Sequence, residues 1–108
     1  MTLIPRSTID QAARALKDAA PDATVILFGS YARGDARPGS DLDFMVVEPK
    51  VDAPYGETGR LMEHLYRTVK LPVPVDVIVA SRNIFEEWKG VSNTVYFEAD
   101  SKGQVLYA

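Results

Sequence analysis

Three short runs of aliphatic, β-branched and aromatic residues, Thr24–Phe28, Asp41–Glu48 and Val75–Ala80, constrain this chain more than any other feature. Each has the length of a strand, and turn-forming residues bound all of them: Gly29-Ser30 after the first, Pro38-Gly39 before the second, Pro72 and Pro74 before the third. Around them the apolar period lengthens to that of a helix. Ile9, Ala12, Ala13, Leu16 and Ala20 recur at helical spacing ahead of Pro21, and Leu61, Met62, Leu65 and Val69 mark a helix face over Glu57–Val69. The pattern predicts one α/β (α+β) domain over residues 1–108, a small mixed β-sheet of at least three core strands flanked by helices.

Finer marks refine that outline. Ser7 and Asp10 read as a capping box with Asp in the usual Glu position, and a helix is expected to open at Gly29-Ser30. Glu48–Gly56, with Pro49 and Pro54, reads as a loop. Ser81 is placed as the N-cap of a short helix through Phe85 and Trp88 that Gly90 ends. Val91, Val95 and Ala99 then fit a last helix stopped at Lys102-Gly103, with a strand over Gln104–Tyr107. Trp88, Tyr96 and Phe97 are assigned to the core, and His64 to a helix surface.

Composition removes several functional classes. Twelve Lys and Arg against 15 Asp and Glu give a net charge of −3, with no basic excess to attract a polynucleotide, so direct nucleic-acid binding is not expected. There is no cysteine, hence no disulfide and no thiolate metal site, and the one histidine lacks a companion for zinc. Met1 to Asp10 has no apolar stretch of signal-peptide kind, and no apolar run approaches the ~18 residues of a membrane span. The expected setting is cytoplasmic, without a membrane partner.

Three aspartates stand against apolar neighbours: Asp41, Asp43 and Asp76. In a strand, Asp41 and Asp43 project from one face while Leu42, Phe44 and Val46 take the other, and Asp76 opposes Val75 and Val77 in the same way. If those strands are neighbours, the carboxylates converge, and like charges so packed call for a hard divalent cation, Mg²⁺ by its oxygen-ligand chemistry. Just upstream, Gly29 admits a phosphate to the backbone, Ser30 offers a hydroxyl and an amide at a presumed helix start, and Arg33 adds a cation one turn on. Gly29 and Gly34 do not make a P-loop, because Asp35 stands where that motif needs lysine. An anion cradle beside a carboxylate cluster suits phosphoryl or nucleotidyl transfer, in which two metals about 4 Å apart stabilise the attacking and leaving oxygens.

The spacing resembles that of the nucleotidyltransferase superfamily typified by DNA polymerase beta, and within it the minimal nucleotidyltransferases. Gly29-Ser30, the residues Tyr31 to Ser40, then Asp41-Leu42-Asp43, then Asp76 reproduce its Gly-Ser, Asp-x-Asp and later acidic residue. The resemblance extends to Ala32-Arg33-Gly34, to Gly39-Ser40, and to the tail with Phe97-Glu98-Ala99 and Gly103 to Tyr107. It implies a polymerase beta-like fold, ATP as substrate and two Mg²⁺ ions. It also implies that Asp41 and Asp43 bind both metals, that Asp76 binds the catalytic metal and acts as base, and that Gly29 and Ser30 hold the triphosphate.

Minimal members resemble the antitoxin half of a two-gene system that adenylylates a HEPN-type ribonuclease toxin, so the resemblance implies an adenylyltransferase antitoxin acting on a tyrosine of such a partner, within a hetero-oligomer or as a homodimer. Two other readings stand beside it. One is nucleotidyl transfer to a small hydroxylated molecule such as an aminoglycoside; the other is a noncatalytic antitoxin that acts by occlusion.

Overall fold

The computed structural model describes residues 2–108. A four-stranded mixed sheet with the order β3-β2-β1-β4 carries helices on both faces. The strands are β1 (Thr24–Phe28), β2 (Leu42–Glu48), β3 (Val75–Ser81) and β4 (Gln104–Tyr107). β1 pairs antiparallel with β2 and with β4, and β2 pairs parallel with β3. The five helices are α1 (Arg6–Ala19), α2 (Ser30–Arg33), α3 (Pro54–Thr68), α4 (Arg82–Trp88) and α5 (Val95–Lys102).

The strands are nearly continuous in apolar residues because each strand face meets a helix layer. Val25, Leu27, Phe44, Val46, Val75 and Val77 pack with Ile9, Leu16, Leu61 and Leu65 of α1 and α3. Their alternates Ile26, Phe28, Met45 and Val47 pack with Phe85 of α4 and Ala99 of α5. The predicted α/β sheet therefore stands, with Gln104–Tyr107 as the fourth strand. Gly103 allows the last turn: a Cβ there would overlap Ala99 O and lie 2.7 Å from Ile26 Cγ2, so α5 folds tightly back onto β1 before β4 begins.

Several local expectations need correction. The capping box at Ser7 and Asp10 does not form: α1 begins at Arg6 behind Pro5, whose φ of −64° leads into the helix, and Arg6 Nε takes the Asp10 carboxylate at 3.0 Å. α3 starts within the presumed loop, with Pro54 in its first turn, where a missing N–H costs nothing. α5 begins at Val95 rather than at Val91, because the Thr94 hydroxyl accepts from Phe97 N at 3.1 Å and sets the start there. Trp88 is not core; it ends a seven-residue helix whose inward face Phe85 fills, and it stays 41 % exposed. Tyr96 and Phe97 are half-buried. Ser81 does cap α4, accepting from Ile84 N.

Candidate active site

Strand register decides where the aspartates lie. Phe28 of β1 is opposite Asp43 of β2, and Asp43 is opposite Asp76 of β3, so the three residues form one row across the sheet. Partners in a ladder project to the same side. Val75 and Val77 face the α1/α3 layer, which turns Asp76 to the α4/α5 side, and Asp43 shares that side with Met45 and Val47. Asp41 lies one residue ahead of β2 and lines the same cleft as Asp43.

Gly29 closes the row at the end of β1. Its φ of 74° with ψ of −157° is glycine territory, and a Cβ would overlap Asp43 Oδ2 and lie 3.0 Å from Asp43 Cγ. A side chain at this position would displace the carboxylate. Gly29 O accepts from Ala32 N and Arg33 N at 3.1 and 3.0 Å, which makes α2 a single turn, and Gly34 at φ 83° ends it. The N–H groups of Ser30 and Tyr31, first in the turn, have no acceptor within it. One turn carries little macrodipole, so any anion cradle rests on those N–H groups and the Ser30 hydroxyl. Gln104 Nε2 donates to Ala32 O at 3.2 Å, and Ile4 N donates to the Tyr31 hydroxyl at 3.0 Å, tying the turn to β4 and to the chain start.

The connection to β2 is a tight turn in which Ser40 N donates to Arg37 O at 2.9 Å and Arg37 N donates to Ser40 Oγ at 2.9 Å. Pro38 and Gly39, the latter at φ 91°, fill the turn positions that suit them. The result is an open cleft of about 390 Å³ lined by Phe28, Gly29, Ser30, Arg33, Ser40, Asp41, Asp43 and Glu98. Among the described residues, Arg33 is the one cation in that lining.

Burial first, then the charges of Asp76 and Asp41, push the Asp43 carboxyl up to about 6, while Arg33 partly opposes the shift. Among the described residues no group of three or more His, Cys, Asp or Glu side chains is spaced to hold a metal ion. Like charges at one strand end repel, which adds to the burial that raises the Asp43 pKa. An all-oxygen set of this kind, with uncompensated negative charge, suits a hard divalent cation.

Glu98 is the lining residue that spacing did not single out. It reaches the cleft from α5 and pairs with Arg33, 65 positions away in sequence. Only the tail motif Phe97-Glu98-Ala99 hinted at that segment. Arg33 itself bonds to Glu98 through Nη1 and to Asp35 Oδ2 through Nε at 3.3 Å. His64 is half-buried on α3, in a separate cleft with Asp18 and Arg67.

Over residues 9–100 the chain matches the nucleotidyltransferase domain family, and it belongs to that family. No curated protein matches it. Among solved structures it resembles a chain of a toxin-antitoxin complex with AMP-PNP, at 21% identity and a TM-score of 0.57, covering 97% of this chain and 74% of that one. A putative nucleotidyltransferase from Sulfolobus solfataricus is similar at 24% identity and a TM-score of 0.53, over 75% of this chain and 70% of the other. A chain of the Shewanella oneidensis complex of tri-AMPylated HEPN toxin with MNT antitoxin is similar at 17% identity and 0.52, over 95% and 71%. At these identities the likeness is one of fold.

Proposed function

We propose that this chain is a Mg²⁺-dependent adenylyltransferase antitoxin that transfers AMP from ATP to a tyrosine of a HEPN-type toxin. The observation that carries the reading is the row of Asp43 and Asp76 on paired strands with Gly29 packed against the Asp43 carboxylate. It sets the bare backbone at Gly29 beside two carboxylates on one sheet face. Family membership supports nucleotidyl transfer, and similarity to chains of toxin-antitoxin complexes, one with AMP-PNP and one with an AMPylated HEPN toxin, supports the nucleotide and the acceptor.

In this reading Asp41, Asp43 and Asp76 would draw together around Mg²⁺, which when bound would offset charge on the phosphates and the leaving group. Gly29 and Ser30 bind the β- and γ-phosphates through backbone N–H groups and the Ser30 hydroxyl, with Arg33 as the nearby cation. The tyrosine oxygen attacks the α-phosphorus and a new P–O bond forms. The bond from the α-phosphorus to the oxygen bridging it to the β-phosphorus breaks, and pyrophosphate leaves. Asp76, exposed on an edge strand, accepts the tyrosine proton.

The test is intact-mass measurement of candidate acceptors after incubation with the protein, ATP and Mg²⁺. An adenylyl adduct on a co-expressed HEPN-type protein is expected. An adduct on an aminoglycoside and none on the protein would replace the acceptor, and neutralisation of the partner by a triple Asp→Asn variant would replace catalysis with occlusion.

A further inference from the structure

The Arg33 guanidinium has five N–H donors. Asp35 takes Nε–H and Glu98 takes one on Nη1, whereas Nη2 carries no bond among the described residues. The two carboxylates differ in what holds them. Asp35 follows the α2 turn and its side chain is 62% exposed, while the Glu98 side chain is 36% exposed. Glu98 sits on a helix fixed at both ends: Thr94 caps its start, and buried Ala99 and closely packed Gly103 fasten its end to β1. The firmer partner therefore comes from α5.

We propose, on the reading above, that Glu98 is a positioning residue for nucleotide binding: it fixes the Arg33 guanidinium at the cleft so that the free Nη2 donors meet phosphate oxygens. Glu98 touches no reacting atom in this account and works through Arg33. Its charge also repels the triphosphate, and magnitudes decide which effect wins. Repulsion between an exposed carboxylate and a metal-neutralised triphosphate in high dielectric changes affinity by about twofold. A charge-assisted hydrogen bond from a held guanidinium is stronger, and losing its orientation lowers affinity by about tenfold.

The experiment is a double-mutant cycle read by calorimetric titration of Mg²⁺·AMP-PNP into the full chain, the Glu98→Ala and Arg33→Ala variants and the double variant, with thermal melts to verify folding and Glu98→Gln as a milder second substitution. Glu98→Ala is expected to weaken binding about tenfold, Glu98→Gln less, and the double variant is expected to bind no more weakly than Arg33→Ala. Unchanged or tighter binding by Glu98→Ala, a further loss on adding it to Arg33→Ala, or an Arg33→Ala variant that binds normally overturns the proposal. Failure of the unmodified chain to bind the analogue would instead remove the nucleotide reading on which it rests.

Discussion

At Gly29 any side chain is excluded twice, by backbone angles only glycine adopts readily and by the Asp43 carboxylate filling the space a Cβ needs. Gly29→Ala should therefore cost about 1–3 kcal/mol in stability and, by displacing Asp43, remove Mg²⁺·AMP-PNP binding. Thermal unfolding and titration of the same sample check both, and a variant that melts and binds normally would contradict the packing. Asp43 itself has a folded-state pKa of about 6 against an ordinary 3.8, so the folded chain holds the proton more tightly than the unfolded one. Stability from this group is present at acid pH and is lost as pH rises through that interval. At neutral pH without divalent metal, Asp43→Asn should raise the melting temperature by a few degrees, a small gain because solvent screens the partly exposed carboxyl. The same change should abolish transfer and weaken Mg²⁺·AMP-PNP binding, whereas Asp76→Asn should abolish transfer with analogue affinity largely kept. Equal loss of affinity in the two variants would contradict that division of roles.

A different carboxylate group joins elements at the other end of β2. Arg60 of α3 forks Glu57 through Nε at 2.7 Å and Nη2 at 2.8 Å, which holds Glu57 down to about 2. Glu48, the last residue of β2, is pushed up to about 7 by burial and by Glu57, and its Oε2 is buried with no partner among the described residues. Two ionised carboxylates cannot bond to each other, so Glu48 can share a proton with Glu57 only while its own carboxyl is protonated. Its contribution is full below its ordinary pKa and fades as pH climbs through about 7. Glu48→Gln keeps a donor at every pH, and should stabilise the fold by about 1 kcal/mol at about pH 8 with little change at about pH 5. Urea unfolding at the two pH values measures this; a variant no more stable than the parent at the higher pH would contradict the shared proton.

Over the whole molecule, legibility followed from how local each cause is. Strand runs were readable because helices cover both sheet faces, leaving Val25 to Phe28 and Phe44 to Val47 buried. The same burial made Asp43 and Asp76 conspicuous in their strands. Their alignment was not in the spacing; it came from the parallel β2–β3 register that sets Asp43 opposite Asp76. Glu98 was hidden for the same reason, since its partner is 65 positions away. Helix starts were misplaced where one side chain decides them, as Thr94 does for α5, and where Asp10 had a competing partner in Arg6.

ATP radiolabelled in either the α- or the γ-phosphate distinguishes nucleotidyl from phosphoryl transfer to a protein acceptor. Each is incubated with the chain, Mg²⁺ and a co-expressed HEPN-type partner, and covalent label on the partner is counted. Label from the α-phosphate is expected on a tyrosine, none from the γ-phosphate, and none from either with Asp43→Asn or Asp76→Asn. Label arriving from the γ-phosphate, or α-label transferred by Asp76→Asn at the parent rate, would contradict it.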